Sequence, residues 1–456
     1  MYLDNNLVNI IPEKLAKKYN LYPIKLEENN LTIGIEKDNI QAIQDLKIAT
    51  GMNIILQKVN SKLIKENMDR YYSENIKSSD DYAKNLFEDI LASAVRENAS
   101  DIHIEPFKDY MVIRNRIDGE LKEVSKFNID LYPALASVIK LEAHMDITEK
   151  RLPQDGRVDL DINGSIIDVR VSTIPTIYKE KIVLRILNRN SFLKTTEELG
   201  FSKDAIKIIG NIINKKSGIL LVTGPTGSGK TTTVYSILNE LLNTSKNIMT
   251  IENPVEYKMD GINQIQVNSK IGLTFDKGLR AILRQDPDII MVGEIRDIET
   301  AKIAVRAAIT GHLVISTMHT NDSISSIARL IDMQIPTYLI NSSLIGVISQ
   351  RLVRKLCTKC SHDISIVDND GNKVNTKVAI GCDECNNGYI GRVPIYEILE
   401  INDDIKLSIS KMKDSKEIKE IAIKNGMITF EDTYKKLVEE KIITIEEVLI
   451  SNYIES

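Results

Sequence analysis

Several features are missing from this sequence, and each absence excludes a class of protein. No stretch approaches the roughly 18 consecutive apolar residues of a membrane-spanning helix, and the first residues lack the basic-then-apolar pattern of a secretory signal. No long basic run is present and the net charge is −5, so nucleic acid is not the expected partner. Internal repeats and low-complexity tracts are also absent, which leaves an ordinary globular protein, expected in the cytoplasm.

Cysteine is scarce, and its distribution is informative. Cys357 and Cys360 form one C-x-x-C pair, and Cys382 and Cys385 form a second after 21 intervening residues. Two such thiolate pairs complete a tetrahedral zinc site without an open position, so the metal is expected to be structural. A disulfide, a redox pair or idle thiols are the alternatives, and a reducing compartment disfavours the disulfide. The region 355–395 is therefore predicted to be a metal-binding subdomain.

The apolar pattern divides the 456 residues into about three domains. Residues 1–72 mix short apolar runs with polar turns and are predicted to form a small separate domain. A polar linker at 73–85 leads to 86–188, where a helix and alternating strands predict a helix-plus-antiparallel-sheet domain. A second linker at 189–204 leads to 205–456, whose apolar runs alternate with helices as in a largely parallel sheet. These runs begin near positions 219, 248, 289 and 313.

A glycine-rich loop lies between the apolar run Ile219–Val222 and a helical pattern. It reads GPTGSGKTT and matches G-x-x-x-x-G-K-[ST] at every fixed position. In this context backbone N–H groups at the helix start point at a phosphate, so a nucleoside triphosphate is the predicted ligand. Lys230 is expected to pair with the outer phosphates and Thr231 to bind magnesium. The predicted nucleotide-binding residues are Gly224, Pro225, Thr226, Gly227, Ser228, Gly229, Lys230, Thr231 and Thr232.

Two further apolar runs of this domain lead into glutamates. Glu252 follows Ile248–Ile251, and Glu294 follows Ile289–Val292. Open parallel sheets bind ligands at the carboxyl ends of their strands, so both glutamates are expected at the nucleotide. A carboxylate there can hold the hydration shell of magnesium or accept the proton of the attacking water. We predict that Glu294 activates the water and that Glu252 supports it, with a solvated strand end as the alternative for each.

Two histidines flank the last of these runs. In TGHLVISTMHTNDS, His312 precedes the strand and His319 follows it, at the ligand end. An imidazole there can donate a hydrogen bond to the terminal phosphate and respond to its loss. We predict this sensing role for His319 and His312; a hydrogen-bonded structural histidine is the alternative for each.

Taken together, these segments resemble a known family. GPTGSGKTT, TIENPVE, RQDPDIIMVGEIRD and TGHLVISTMHTNDS, in this order, are similar to the four boxes of type II secretion and type IV pilus assembly ATPases. The second domain resembles that family through ASDIHIEP, RLPQDGR and DVRVSTIP. The resemblance implies an α/β multidomain fold, with a RecA-like ATPase domain that carries a zinc knuckle. A PAS-like α+β domain and a small α/β adaptor domain are expected to precede it.

The resemblance also implies a function. It predicts a homohexameric ring that hydrolyses ATP with magnesium at the cytoplasmic face of the inner membrane. The ring would act on an inner-membrane platform protein, which adds pilin-like subunits to a pilus or a secretion pseudopilus. The tetracysteine region favours extension or secretion over retraction.

The same resemblance assigns a role to arginines of the second domain. Arg170 and Arg185 lie in the segments that supply the family's arginine sensors, so they are expected to reach the terminal phosphate when that domain closes over ATP. A guanidinium there neutralises developing charge. Arg280, Arg284 and Arg296 are the rival sources of this charge, and a surface salt bridge is the alternative for each arginine.

Two features depart from the family pattern. Asn253 replaces the aspartate usual in the second box, which keeps a hydrogen-bonding group but loses a charge. The amino-terminal domain is shorter than in longer relatives, so the cyclic dinucleotide that some of them bind is not expected here.

Two other functions fit parts of the sequence. A nucleic-acid translocase would also combine a sheet-based ATPase with a zinc knuckle, but the acidic balance and the lack of basic tracts count against it. A scaffold that binds ATP without turnover would need neither Glu294 nor the arginines. An ATP-driven assembly motor is therefore the leading prediction.

Overall fold

The structure is a computed structural model in which the chain divides into two compact units, Met1–Ile186 and Leu187–Ser456. Every helix in the described residues is too short or too polar to cross a membrane. The described residues are 7, 10–27, 30–37, 39–61, 63–64, 67, 79–162, 165–187, 194–242, 245–367 and 373–453.

The first unit starts with a small mixed sheet and two helices. Strand β2 pairs antiparallel with β1 and parallel with β3, and Leu31 and Ile33 of β2 are fully buried. The Asn39 side chain caps the second helix by accepting hydrogen bonds from two of its first N–H groups, and Gly51 ends it in the left-handed conformation. The elements are α1 (Glu13–Tyr19), β1 (Leu21–Glu27), β2 (Asn30–Ile35), α2 (Ile40–Thr50) and β3 (Asn53–Lys58).

A six-stranded sheet packed on two helices forms the rest of this unit, in the order β6-β5-β4-β9-β8-β7. Strand β4 pairs antiparallel with β5 and β9, and β7 pairs antiparallel with β8, as the alternating pattern predicts. One face of the sheet is apolar and packs on α3 and α4. The elements are α3 (Ser79–Arg96), β4 (Asp101–Pro106), β5 (Tyr110–Ile117), β6 (Glu120–Asn128), a 3₁₀ turn (Ile129–Leu131), α4 (Tyr132–Glu142), β7 (Gln154–Ile162), β8 (Ser165–Pro175) and β9 (Glu180–Leu187).

The first predicted linker needs correction. Residues 73–78 lie outside the described residues, but 79–85 form the first turns of α3 instead of a linker. Ala83 is buried together with Leu86 and Phe87, so the helix already packs on the sheet there. The composition of this segment is polar, because the start of the helix has only a narrow apolar side. A low share of apolar residues therefore does not distinguish it from a linker.

The second predicted linker is also partly structured. Residues 188–193 lie outside the described residues, whereas α5 (Thr196–Leu199) and the start of α6 (Lys203–Ile213) lie within 189–204. A capping box between Thr195 and Glu198 starts α5. Thr196 donates hydrogen bonds from its N–H and hydroxyl groups to the Glu240 carboxylate, at 3.0 and 2.8 Å.

A seven-stranded sheet dominates the second unit, in the order β12-β11-β13-β14-β10-β15-β18. The runs predicted near 219, 248, 289 and 313 are four of its strands and run parallel to their neighbours, which confirms the largely parallel sheet. The elements from β10 to β14 are β10 (Gly218–Thr223), α7 (Lys230–Leu241), β11 (Ile248–Glu252), β12 (Asn263–Gln266), a 3₁₀ turn (Ser269–Ile271), α8 (Phe275–Ile282), β13 (Ile289–Val292), α9 (Ile298–Ile309) and β14 (Leu313–Met318).

The remaining elements add two strands to the sheet and pack helices against it. Strand β15 pairs parallel with β10 and antiparallel with β18, the last strand. Between β15 and β18 the chain leaves the sheet to form the two-stranded hairpin β16–β17. The elements are α10 (Ser323–Asp332), α11 (Thr337–Ser343), β15 (Leu344–Leu356), β16 (His362–Val367), β17 (Lys373–Val378), β18 (Tyr389–Glu400), α12 (Asp403–Ser410), α13 (Ser415–Lys424), α14 (Phe430–Glu439) and α15 (Ile445–Tyr453).

One close backbone approach in the first unit gives a stability prediction. A methyl group at Gly156 in β7 would lie 2.4 Å from the backbone oxygen of Ala143 and 2.9 Å from Cγ of Met145. Because a backbone atom cannot move aside without disturbing the fold, Gly156→Ala is expected to lower the free energy of unfolding by about 1–3 kcal/mol. Urea unfolding followed by circular dichroism measures the change.

Gly210 in α6 provides the control, since, apart from its neighbours and the backbone of its own helix, no atom of the described residues lies within 4 Å of a methyl group placed there. Gly210→Ala should raise the free energy of unfolding by roughly 0.5–1 kcal/mol, because alanine favours the helix. A stabilising effect of Gly156→Ala would contradict the prediction.

Candidate functional site

The glycine-rich loop joins the carboxyl end of β10 to the start of α7. Gly224, Gly227 and Gly229 have φ angles of 141°, 81° and 86°, a region that residues with a Cβ rarely adopt. At Gly224 a Cβ would also lie 2.3 Å from the backbone oxygen of Gln350. The loop therefore turns sharply into α7 at Lys230. The first N–H groups of a helix have no partner within it and bind anions readily.

The other loop positions differ in exposure. Residues Pro225, Thr226 and Gly227 are exposed, whereas Ser228 is buried. Thr231 and Thr232 are half-buried on the first turn of α7.

Lys230 is largely buried and turns back onto its own loop. Its Nζ donates hydrogen bonds to the carbonyl oxygens of Gly224 and Pro225 at 2.7 and 2.8 Å. Burial lowers the pKa of Lys230 to about 8, although the charge of Glu294 opposes this shift. A nearby anion would favour the charged form and offset the cost of burial.

A carboxylate, a guanidinium and an imidazole meet beside the loop. Glu294 follows β13, and its Oε2 lies 2.5 Å from Nε of Arg296 and 3.8 Å from Nε2 of His319, which follows β14. The Glu294 side chain is 12% exposed, whereas that of His319 is 49% exposed. Partial burial and the charge of Lys230 lower the pKa of His319. The fold thus brings the predicted Lys230, Glu294 and His319 together at one sheet edge.

Glu252 lies at the end of β11 in a buried hydrogen-bond network. Its Oε1 accepts from the Thr250 hydroxyl at 2.6 Å and from Nε2 of Gln264 at 3.2 Å, and its Oε2 accepts from the Tyr235 hydroxyl at 2.5 Å. Burial raises the pKa of Glu252, and these hydrogen bonds oppose the rise. Glu252 is therefore anchored from both oxygens, while the next residue, Asn253, is exposed.

His312 does not join this group within the unit. It precedes β14, at the opposite sheet edge from His319, and six strand residues at about 3.3 Å each separate the two by roughly 20 Å. Its Nδ1 lies 2.8 Å from the carbonyl oxygen of Ala307. The alternation of apolar residues locates the strand but does not separate its ligand end from its other end. The structure therefore gives His312 a local hydrogen bond, and the two histidines do not share one site in this unit.

The second-domain arginines lie on neighbouring strands of the first unit. Arg170 is half-buried on β8, directly opposite Arg157 of β7. Arg185 on β9 is exposed, and its Nε donates to Oδ1 of Asp101 at 3.1 Å. In the second unit, Arg280 faces Glu299 at 3.4 Å, and Nη1 of Arg284 donates to the Arg280 carbonyl oxygen.

Sequence reasoning missed Gln350 of β15. Its Nε2 donates to the backbone oxygen of Ser228 at 2.8 Å, so it fixes the loop from the neighbouring strand. The buried Oε1 of Gln350 and the Ser228 hydroxyl have no hydrogen-bond partner among the described residues. More than a hundred residues separate Gln350 from the loop in sequence, so a local motif cannot reveal this contact.

The four cysteines converge at the base of the β16–β17 hairpin. Their sulfur atoms all lie within 4.8 Å of one another, and three of the sulfur pairs are 3.6, 3.7 and 4.0 Å apart. Four sulfurs at 2.3 Å from a tetrahedral zinc would be about 3.8 Å apart. Backbone N–H groups of Cys382 and Gly388 also donate to the Cys385 sulfur at 3.2 Å. The cluster therefore fits a zinc ion, and His362 lies outside it.

The chain is similar in sequence to a known family and to several of its members. The family model of type II/IV secretion system proteins matches residues 77–450. The type II secretion system protein HxcR of Pseudomonas aeruginosa is 47% identical over 361 residues, which are 79% of this chain and 75% of that protein. The type IV pilus assembly ATPase PilB of Myxococcus xanthus is 37% identical and covers 98% of this chain and 87% of its own. PilB of Thermus thermophilus is 41% identical over 96% of this chain, which spans 54% of that longer protein.

Solved structures agree with these relatives. The pilus retraction motor PilT with bound ADP has a TM-score of 0.58 and 29% identity, and it matches 80% of this chain and 96% of its own. The ATPase DotB of Legionella pneumophila matches the same shares of both chains with a TM-score of 0.61 at 23% identity, which shows a likeness of fold alone. The chain belongs to the type II/IV secretion system protein family.

Proposed function

We propose that the chain is an ATP-hydrolysing motor of the pilus extension or secretion type. One observation carries the proposal: a single sheet edge holds the glycine-rich loop, the buried Lys230 amine and the Glu294 carboxylate. Phosphoryl transfer depends on positioning and on charge stabilisation, which such an edge supplies. Membership of a family whose relatives include pilus assembly ATPases supports the same conclusion.

The loop would bind the phosphates of ATP through backbone N–H groups from Gly227 to Lys230. Lys230 would exchange the carbonyl oxygens of Gly224 and Pro225 for phosphate oxygens, which stabilise its charged form better. Thr231, on the first turn of α7, would bind the magnesium ion that accompanies ATP. The resulting domain is RecA-like in our proposal.

Glu294 would accept the proton of the attacking water. Its side chain is mostly shielded from solvent, and Arg296 holds it from one side. His319, which is half-exposed beside it, would donate to the terminal phosphate and respond to its loss.

Glu252 would act indirectly, by supporting the structure around the glycine-rich loop. Its buried carboxylate joins β11 to the loop's helix through Tyr235, so it fixes the helix that presents Lys230 and Thr231. We do not assign a phosphate contact to His312 in its own subunit, because its strand end faces away from the loop.

The preceding PAS-like domain would close over ATP and bring Arg170 and Arg185 to the terminal phosphate. Arginines delivered in this way accelerate phosphoryl transfer by about a thousandfold or more where they have been tested. Six copies would form the ring at the cytoplasmic face of the inner membrane, and their closure would move a platform protein there. Nothing in the described residues favours a nucleic-acid translocase.

The four thiolates of Cys357, Cys360, Cys382 and Cys385 would hold zinc. The ion would stabilise the base of the hairpin and, with no open coordination position, would take no part in hydrolysis.

The roles of Lys230 and Glu294 are tested by nucleotide binding and phosphate release. Lys230→Ala is expected to abolish binding or turnover, because the outer phosphates lose their cation. Glu294→Gln should retain ATP binding but lose about a hundredfold or more in kcat, because the amide cannot accept the proton. A fluorescent ATP analogue measures binding, and released phosphate measures turnover.

Glu420→Gln is the control for these variants, since Glu420 is an exposed glutamate on α13 and should keep wild-type turnover. Wild-type kcat in Glu294→Gln would contradict its assignment as the base. In cells, deletion of the gene should remove surface filaments or secretion, and Lys230→Ala should not restore them.

The network around Glu252 gives a stability prediction. Tyr235→Phe leaves one buried carboxylate oxygen without its donor, so it is expected to lower the free energy of unfolding by about 1–3 kcal/mol. Tyr338→Phe removes an exposed hydroxyl (67% exposed) and should change the value by less than about 0.5 kcal/mol. Equal effects in urea unfolding would show that the Tyr235 hydroxyl does not support Glu252.

Metal analysis tests the cysteine cluster. We expect about one zinc per chain by mass spectrometry of freshly purified protein, and Cys382→Ser should lose it because three thiolates bind zinc more weakly. His362→Ala should retain the metal, because His362 is not one of the four ligands. Zinc-free wild-type protein, purified without a chelator, would refute the site.

A further inference from the structure

The six-stranded sheet of the first unit has charged residues on the face opposite its apolar core. Ile102 and Ile104 of β4 point into the core, so Asp101, His103 and Glu105 lie on the opposite face. Asp101 and Glu105 are both only 8% exposed. A carboxylate that is this shielded from water needs charged or hydrogen-bonding partners.

Asp101 obtains its partners from both neighbouring strands. It lies directly opposite Arg116 of β5 and Arg185 of β9. Its Oδ1 accepts from Nε of Arg185 at 3.1 Å, whereas its Oδ2 accepts from the Ser100 hydroxyl at 2.8 Å and faces Nε of Arg116 at 3.6 Å. Arg116 is also tied to its own turn, because its Nη1 donates to the Gly119 carbonyl oxygen at 2.8 Å.

Among the described residues, only Asp101 holds the Arg185 side chain, and it does so at one position. Asp101 binds the Nε group, next to the aliphatic stem, while the Arg185 side chain as a whole is 61% exposed. Its two terminal nitrogens make no hydrogen bond to the described residues. Because the guanidinium is planar, a bond at Nε restricts its orientation and leaves the terminal N–H groups for a second anion.

We propose that Asp101 is a positioning residue for Arg185, an inference that rests on the proposed function. It orients the guanidinium so that the two terminal nitrogens reach the terminal phosphate when the domain closes. Asp101 does not touch the nucleotide itself and acts only through Arg185. Without Asp101 the guanidinium would adopt several orientations. It would then stabilise the transition state less, while the initial binding of ATP would not change.

Glu105 provides an internal comparison on the same strand and the same face. It is as buried as Asp101 and binds Arg114 at 2.6 Å and Lys181 at 2.6 Å. Neither of these two cations has a proposed role at the nucleotide. If the charged face is only structural, removal of either carboxylate should have a similar effect.

The test compares Asp101→Ala with Glu105→Ala in the full-length protein. Phosphate release is measured against ATP concentration, and thermal unfolding is followed in parallel. We expect Asp101→Ala to lower kcat about tenfold with KM for ATP within about twofold of wild type. Glu105→Ala should keep kcat within about twofold, even where its unfolding temperature falls. Equal kcat values in the two variants would overturn the inference.

A second variant covers the case in which Asp101→Ala does not fold. Asp101→Asn keeps the size of the side chain and an oxygen that accepts from Nε, but loses the charge, so kcat should fall by about threefold. Wild-type kcat in Asp101→Asn, together with an unfolded Asp101→Ala, would overturn the positioning role.

Arg185→Ala separates this inference from the proposed function. Asp101→Ala added to Arg185→Ala should cause no further loss of kcat, and a further tenfold loss would show that Asp101 does not act through Arg185. Wild-type kcat in Arg185→Ala would overturn both the arginine assignment and the inference. A strong loss of kcat in Arg185→Ala, with no loss of kcat in Asp101→Ala, would overturn the inference about Asp101 alone.

Discussion

The carboxyl ends of β10, β11, β13 and β14 lie at one edge of the second unit's sheet, because these strands run parallel. That shared direction places the glycine-rich loop beside the residues that follow the other strands. It also explains why His319 belongs to the group and His312 does not, although both flank the same strand. The burial of β10, whose six residues are all inside the protein, fixes the loop's starting point. The chemistry proposed for this site depends on that rigid edge.

Lys230, Glu252 and Glu294 are largely shielded from water near this edge, and their partners determine what they can do. Lys230 satisfies its buried ammonium with carbonyl oxygens of its own loop, an arrangement that a phosphate can replace. Glu252 receives hydrogen bonds from three side chains, which suits a fixed structural carboxylate. Glu294 has an exposed guanidinium and an imidazole beside it, which suits the proton exchange that we propose for it. The different surroundings of the two glutamates are therefore the reason for the different roles that we propose for them.

Local patterns predicted much of this organisation. The glycine loop and the two C-x-x-C pairs are short patterns, and the parallel sheet follows from the alternation of apolar runs with helical segments along the chain. Residues 79–85 were wrongly assigned to a linker, because a helix with few apolar residues at its start has the composition of a loop. Gln350 could not be found in this way, because its contact with Ser228 joins segments that are distant in sequence. The same holds for the bond between Arg185 and Asp101, which lie on different strands.

The amino-acid sequence alone specifies which chemical groups are present and which strand or loop carries each of them. The order of motifs was enough to identify the family, because each motif is a short run of residues that can be seen without knowing the fold. The folded chain shows in addition which groups meet, which of the two histidines lies at the loop, and which nitrogen of Arg185 already has a partner. These outcomes depend on strand order and register, and both result from packing between segments that the chain brings together only when it folds.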